Sequence, residues 1–127
     1  MTIAIGTDIL ELSRIEDVFS RQGDKIAKRI LRPNEFEYFE NIQHPQAKLA
    51  FLGKRWCAKE AIAKALGTGI AKGIGWQEIE IGKNELGAPF VILFNEALER
   101  LHALGAKKAL ISISDERNYA VAYCCLV

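Results

Sequence analysis

Two acidic residues in apolar surroundings, Asp8 near the start of the chain and Glu60 in its middle, have side chains suited to holding a metal ion. Asp8 lies within residues 5–9, and Glu60 lies within residues 55–69. Mg²⁺ keeps several waters and is usually held by one or two protein carboxylates together with phosphate groups of its substrate. The pair therefore predicts a divided magnesium site that acts on a phosphate-bearing substrate.

Lys64 follows Glu60 by four residues, so the two side chains share one face if this segment is helical. The simpler interpretation is a surface ion pair that contributes about 0.3–0.5 kcal/mol to helix stability. Gly67, Thr68 and Gly69 come next, and they either end the helix or let backbone N–H groups approach a pyrophosphate.

Other site chemistries have weaker support. The glycine segment lacks the Lys-Ser/Thr ending of a P-loop and does not match a dinucleotide-binding fingerprint. Ser112 and Ser114 alternate with isoleucines, which is typical of the exposed face of a strand, and no motif places a histidine to activate them. Nucleophilic catalysis by the chain itself is therefore not indicated.

Length and composition predict one globular domain over residues 1–127. Of these residues 50% are hydrophobic and 26% charged, which argues against extensive disorder. The net charge of +1 gives no support to a nucleic-acid binder, and no stretch predicts a membrane span or a leader. The three cysteines share no metal-ligand spacing, so we interpret them as packing residues and expect a reducing, cytoplasmic location.

Several elements must position these residues. Alternating apolar side chains predict an opening strand over residues 3–9, with Asp8 near its end. Ser13 and Glu16 match a capping box, which predicts a helix over residues 14–22.

Further helices follow two breaks in the pattern, one at Gly23 and one at Pro33. The longest helical pattern covers residues 47–66 and stops at Gly67, with Glu60 at the edge of its buried stripe. This helix is predicted to present the second half of the metal site.

The second half of the chain predicts four strands, over residues 76–81, 90–94, 110–114 and 119–127. A turn at residues 84–87 joins the first pair into a hairpin, and a short connection joins the last pair. Asn95 is predicted to cap the helix between the two hairpins, and Gly105 to end it. Helices and antiparallel strands occur in runs without regular βαβ alternation, so the predicted fold class is α+β.

The motifs occur in one order along the chain: Gly6-Thr7-Asp8-Ile9-Leu10-Glu11, Arg14-Ile15, Lys54-Arg55-Trp56-Cys57-Ala58-Lys59-Glu60-Ala61 and Lys64-Ala65-Leu66-Gly67-Thr68-Gly69-Ile70. Each motif is weak by itself, but their order and spacing over essentially the whole chain are specific. In this respect the chain resembles bacterial holo-[acyl-carrier-protein] synthase, a 4′-phosphopantetheinyl transferase family. The likeness continues through Asn84, Gly87 and Pro89.

The resemblance implies the 4′-phosphopantetheinyl transferase fold and transfer of 4′-phosphopantetheine from coenzyme A to a serine of apo acyl carrier protein. Adenosine 3′,5′-bisphosphate would be released, and fatty acid biosynthesis is the implied pathway. Asp8 and Glu60 would coordinate Mg²⁺, with the coenzyme A pyrophosphate completing the shell. Lys64 would face phosphate oxygens, and Gly67, Thr68 and Gly69 would line the coenzyme A site. The base could be Asp8, Glu60 or a metal-bound water, and the sequence leaves all three open.

The resemblance also assigns a partner surface and an assembly. Arg14 and Arg21 would contact the acidic carrier protein, although an ordinary solvated helix face also accounts for the basic residues between 14 and 32. A homotrimer with active sites between subunits is implied. Many members carry histidine where this chain has Asp115, so that role does not transfer, and we predict that Asp115 caps the hairpin turn.

Two other functions remain compatible with the motifs. One is a coenzyme A or nucleotide-binding module without transfer activity, which the joint presence of Asp8, Glu60 and Lys64 disfavours. The other is a metal-dependent phosphohydrolase, which would need no carrier protein. Mass analysis of a carrier protein incubated with coenzyme A and Mg²⁺ separates the three functions.

Overall fold

The computed structural model describes residues 1–127 and contains five helices and five strands. In chain order these are β1 (Ala4–Glu11), α1 (Leu12–Gln22), α2 (Asp24–Ile30), α3 (Pro33–Asn41), α4 (Pro45–Ala65), β2 (Ile79–Lys83), β3 (Pro89–Leu93), α5 (Asn95–Ala103), β4 (Ala109–Asp115) and β5 (Tyr119–Leu126). The strands form an antiparallel sheet of order β1-β5-β4 and a separate β2-β3 hairpin. The predicted α+β class is therefore confirmed.

Strand β1 carries the first predicted metal ligand in its middle. Gly6 pairs with Cys124 and Asp8 with Ala122 of β5. Since side chains alternate across a strand, Gly6, Asp8 and Leu10 share the face that packs on α4, and the isoleucines that predicted the strand lie on the opposite, exposed face. The sequence predicted Asp8 near the end of the strand. Asp8 instead lies in the middle of β1, in the part that α4 covers.

Strand β1 and helix α4 approach so closely that only glycine fits between them. A Cβ atom at Gly6 would lie less than 3.0 Å from both the carbonyl oxygen of Ala61 and the backbone nitrogen of Ala65. Ala61 is fully buried and Ala65 nearly so, and their small side chains permit this contact. The contact brings Asp8 to the segment of α4 that carries Glu60.

Helix α4 is buried on most of its surface. Its second half packs on the sheet, and its first half packs on α1–α3 through a second core that contains Ile15, Phe39 and Leu52. The single buried stripe predicted from the sequence is therefore too narrow, but Glu60 does lie at the edge of the buried surface. None of the helices combines the length and the hydropathy needed to cross a membrane.

The predicted capping box at Ser13 and Glu16 is wrong. Helix α1 begins at Leu12 after Glu11, and the Ser13 hydroxyl donates to the Glu11 carboxylate at 3.0 Å instead of capping the helix. Gly23 ends the helix as predicted, with a φ of 58° that favours glycine.

The second half of the chain follows the prediction with three local differences. The strand predicted from residue 76 begins at Ile79, because Trp76–Glu78 forms a 3₁₀ turn. Asn95 is the first residue of α5 and does not cap it. Asp115 ends β4 without a side-chain hydrogen bond to the turn, and its Oδ1 lies 3.8 Å from Nζ of Lys54, so the predicted turn cap is wrong.

Candidate active site

Asp8 and Lys64 form the central ion pair of the site. Nζ of Lys64 donates to Oδ1 of Asp8 at 2.9 Å and to the carbonyl oxygen of Thr7 at 3.1 Å. The hydrogen bond with Asp8 is the largest cause that raises the pKa of Lys64, so the ammonium stays charged at neutral pH. Lys64 does not pair with Glu60, so the simpler interpretation of Lys64, an ion pair within the helix, is wrong.

Glu60 lies one helical turn before Lys64 and is half-buried. Its carboxylate makes no hydrogen bond or ion pair with the protein. Burial raises the pKa of Glu60, and the negative charge of Asp8 raises it further, whereas Lys64 partly opposes both. Asp8 is two residues beyond Gly6 and Glu60 directly precedes Ala61, so the contact between Gly6 and Ala61 brings the two carboxylates to the same part of the structure, an arrangement that a bound cation favours.

The donor set fits Mg²⁺ when the substrate supplies further oxygens. Carboxylate oxygens are the hard ligands that Mg²⁺ prefers, and Glu60 has a carboxylate free of protein partners. The structure contains no cluster of three or more histidine, cysteine or acidic side chains able to hold a metal alone. Asp8 and Glu60 thus suit a cation shared with a phosphate ligand and water better than an all-protein cage.

The glycine segment after α4 has the first of its two predicted roles, which is to end the helix. The N–H group of Gly67 donates to the carbonyl of Lys64 at 2.9 Å, and those of Thr68 and Gly69 donate to the carbonyl of Ala63 at 3.2 and 3.1 Å. Gly67 and Gly69 have φ values of 85° and 64°, which glycine adopts without strain. These N–H groups are engaged in ending the helix, so they do not form a cradle for pyrophosphate.

Helix α5 supports the same helix end, a contact that the sequence did not reveal. Nε of Arg100 donates to the carbonyl oxygen of Leu66 at 2.8 Å. A Cβ atom at Gly67 would lie 3.2 Å from Nη2 of Arg100. A cation at the last carbonyls of a helix is stabilised by the helix dipole, so Arg100 holds the loop that follows Lys64.

A buried charge network lies on the other side of α4. Lys59 is fully buried, and its Nζ donates to Oε1 of Glu35 at 2.7 Å, to the carbonyl of Ile30 at 2.7 Å and to that of Trp76 at 3.2 Å. Oε2 of Glu35 accepts from the N–H group of Ile81 at 3.2 Å. Burial lowers the pKa of Lys59 to about 8, against the opposing charge of Glu35.

A second cation joins this network. Nε of Arg55 lies 3.2 Å from Oε2 of Glu35, and the Arg55 guanidinium lies over the ring of Phe51 at 4.6 Å. Lys59 and Arg55 both project from α4, so the network sets the rotation of the helix and with it the direction of Glu60. The available signal in the sequence was a lysine with apolar residues three positions before it and three and four positions after it on the helix.

Cys57 is a packing residue, as predicted. It is fully buried and its Sγ lies 3.3 Å from the carbonyl oxygen of Asp8. Burial, followed by the charge of Asp8, raises the pKa of this thiol to about 12. Such a thiol is not a nucleophile at neutral pH.

Arg14 and Arg21, the predicted partner-binding residues, both lie exposed on α1. Neither forms an ion pair within the chain. Their role in binding a carrier protein stays a prediction.

Comparisons with known proteins identify the family of the chain. Residues 4–124 match the family model of the 4′-phosphopantetheinyl transferase superfamily. The chain is 49% identical over 120 residues to a holo-[acyl-carrier-protein] synthase of Shewanella amazonensis, which covers 94% of each protein.

Two solved structures extend the comparison. The holo-[acyl-carrier-protein] synthase of Neisseria meningitidis superposes with a TM-score of 0.88 at 37% identity and covers 100% of this chain and 99% of the other. The enzyme of Bacillus anthracis, solved in complex with CoA (3′,5′-ADP), matches with a TM-score of 0.82 at 34% identity over 99% of this chain and 96% of the other. The chain therefore belongs to the 4′-phosphopantetheinyl transferase superfamily.

Proposed function

We propose that the protein is a magnesium-dependent holo-[acyl-carrier-protein] synthase. It transfers 4′-phosphopantetheine from coenzyme A to a serine of apo acyl carrier protein and releases adenosine 3′,5′-bisphosphate. The observation that carries this proposal is the meeting of Asp8, Glu60 and Lys64 at the contact between β1 and α4. The names of the relatives and the coenzyme A bound to the Bacillus anthracis enzyme support the choice of substrate.

The proposed reaction needs no nucleophile from this chain. The serine oxygen of the carrier protein forms a bond to the pyrophosphate phosphorus that carries pantetheine, and the bond between that phosphorus and the bridging oxygen breaks. The bridging oxygen leaves with adenosine 3′,5′-bisphosphate. Positioning and charge neutralisation dominate such transfers, which fits a site made of two carboxylates and a lysine.

Each residue of the site has a stated role in this proposal. Asp8 and Glu60 would hold Mg²⁺, which when bound offsets the charge of the pyrophosphate. Lys64 stabilises the charge that develops on the leaving phosphate. The serine proton has two protein acceptors in the site, the carboxylates of Asp8 and Glu60. Residues 67–69 line the coenzyme A site by their surface, since their N–H groups are already bonded.

We further propose that the protein is a homotrimer with active sites between subunits. The sheet face opposite α4 exposes Ile5 by 58%, Ile9 by 65%, Val121 by 41% and Tyr123 by 46%. A contiguous apolar face of this kind is characteristic of an interface, and a second copy of the chain is its proposed occupant. Light scattering coupled to gel filtration tests this, with three times the chain mass expected and the monomer mass contradicting it.

The carrier protein is proposed to dock on Arg14 and Arg21, whose charges complement an acidic helix. Fatty acid biosynthesis in the cytoplasm is the proposed context. All three cysteines are free thiols, which suits a reducing compartment.

Mass spectrometry of purified apo acyl carrier protein tests the function directly. After incubation with this protein, coenzyme A and Mg²⁺, the carrier should gain the mass of one phosphopantetheine group. The gain should disappear with a chelator or with a carrier whose acceptor serine is changed to alanine. Release of adenosine 3′,5′-bisphosphate without carrier modification would indicate a phosphohydrolase, and coenzyme A binding without turnover would indicate a binding module.

A further inference from the structure

The Lys64 ammonium occupies the position beside the Asp8 carboxylate that a metal cation would need. Its Nζ is 2.9 Å from Oδ1 of Asp8, and the Asp8 side chain is only 18% exposed. We propose that Lys64 is an internal counter-ion that occupies the metal site until a divalent cation displaces it. This inference rests on the proposed function, because it concerns the same metal site.

The charges of the site favour exchange over simultaneous binding. Asp8 and Glu60 together carry two negative charges, and the close contact of Gly6 with Ala61 brings the segments that bear them together. Lys64 neutralises one of these charges in the ligand-free protein. A divalent cation neutralises both, and an ammonium beside it would then meet a like charge at short range. Asp8 therefore suits one of the two cations at a time.

The side chain of Lys64 is free to move away. It is 50% exposed, and its only bonds are to Asp8 and to the carbonyl of Thr7. Exposed ion pairs contribute little to stability, so breaking this one is easy. Lys59 on the same helix provides the contrast, because it is fully buried and bonded to three acceptors. Lys59 is therefore held in place by the fold, whereas the Lys64 side chain can move away from Asp8.

The exchange couples two events in the proposed reaction. Once displaced, the Lys64 ammonium has lost its carboxylate partner, and phosphate oxygens are the acceptors that replace it. The lysine then engages the substrate only when the cation is already bound. In the absence of cation it keeps the two carboxylates from facing each other uncompensated.

Metal affinity in the absence of coenzyme A tests the competition. Mg²⁺ is titrated calorimetrically into ligand-free wild-type protein and into Lys64→Met, with Lys64→Gln as a second variant of different shape. Both variants should bind Mg²⁺ about three- to tenfold more tightly than wild type, because the competing charge is gone. Lys54→Met is the matched control, since Lys54 lies on the same helix and pairs with Asp115 outside the site. Its Mg²⁺ affinity should equal that of wild type.

The rate at which acetic anhydride modifies each lysine tests the displacement itself. Mg²⁺ should accelerate acetylation of Lys64 and leave that of Lys54 unchanged, as followed by peptide mass spectrometry. Two results overturn the inference: Mg²⁺ binding to the Lys64 variants that is no tighter than to wild type, or a Lys64 acetylation rate that does not respond to Mg²⁺. Neither measurement uses coenzyme A or carrier protein, so failure of the proposed transfer would be seen separately in the mass assay.

Discussion

Gly6 of β1 lies directly against the backbone of Ala61 of α4, with no room for a side chain between them. This contact decides how far the strand lies from the helix. Asp8 is two residues beyond Gly6 on the same strand face, and Glu60 directly precedes Ala61. The distance between the two carboxylates therefore depends on a glycine that takes no part in the chemistry.

Replacing Gly6 with alanine should destabilise the fold and weaken the site together. The added methyl group must push β1 away from α4, and overpacking of this kind costs about 1–3 kcal/mol. Urea denaturation measures the loss, and Mg²⁺ titration measures the effect on the site. Gly75→Ala is the matched control, because its φ is −115° and no atom lies within 4 Å of the added Cβ. Equal stability of the Gly6 variant and wild type would show that the strand and helix can separate freely.

Glu60→Gln should abolish transfer without loss of stability. The carboxylate has no protein partner, and its charge is disfavoured by burial and by Asp8, so the neutral amide is expected to be tolerated or slightly stabilising. Metal-assisted charge stabilisation amounts to several kcal/mol, so the transfer rate should fall at least about a hundredfold. Thermal denaturation measures the stability of the variant, and the mass assay measures its transfer rate. Glu40→Gln, an exposed change on α3, is the control, and a folded Glu60 variant with near-normal rate would remove Glu60 from the site.

Asp8→Asn should also abolish transfer, but with a second effect on Lys64. The ammonium loses its negatively charged partner, and a neutral amide oxygen is a weaker acceptor for the hydrogen bond that raises its pKa. The pKa of Lys64, followed by NMR of labelled lysine, should therefore fall in this variant. An unchanged value would contradict the ion pair.

Arg14→Glu and Arg21→Glu should weaken carrier docking alone. The two residues are seven apart on α1, about two helical turns, and so lie on nearly the same side. Charge reversal should raise the KM for carrier protein and reduce its salt dependence, with coenzyme A affinity nearly unchanged. Steady-state kinetics measures the KM for carrier protein, and calorimetry measures the affinity for coenzyme A. Lys107→Glu, a charge reversal at another exposed residue, is the control. Loss of coenzyme A binding with carrier binding intact would move these arginines into the coenzyme A site.

Glu35→Gln should destabilise the fold more than Lys59→Met. Without the Glu35 carboxylate, two buried cations, Lys59 and Arg55, lose their only anionic partner, and breaking a buried pair typically costs about 3–5 kcal/mol. Lys59→Met leaves Glu35 paired with Arg55 at 3.2 Å, so its loss of stability should be smaller. Urea denaturation of the two single variants, the double variant and wild type gives the coupling energy. Additive losses would mean that Lys59 and Glu35 act independently.

Arg100→Ala should loosen the loop after α4 while leaving the helix intact. Without the bond to the Leu66 carbonyl, the amides of residues 67–69 should exchange their hydrogens faster than in wild type, whereas exchange at residues 57–62 should not change. Hydrogen exchange followed by NMR measures this in the ligand-free protein. His102→Ala, an exposed change on the same helix, should have no effect. Unchanged exchange in the Arg100 variant would show that the N–H bonds to α4 suffice.

The sequence predicted those features that depend on neighbours along the chain. Helix ends at Gly23, Gly67 and Gly105 were correct, because each needs a positive φ that glycine adopts without strain. The turn at residues 84–87 was also correct, and there Oδ1 of Asn84 accepts from the N–H groups of Leu86 and Ala88. Motif order likewise led to the family. Residue types led to Asp8, Glu60 and Lys64, whose roles in the site stay a prediction.

Tertiary structure decided which groups these residues meet. Spacing along one helix suggested Glu60 as the partner of Lys64, but the chosen partner is Asp8, which comes from a strand more than fifty residues earlier. The packing of α4 also decides which face of β1 exposes its isoleucines. It likewise buries Lys59 in its charge network. A local pattern contains helical and strand periodicity, whereas an ion pair depends on the distance between elements, and here that distance follows from the contact at Gly6.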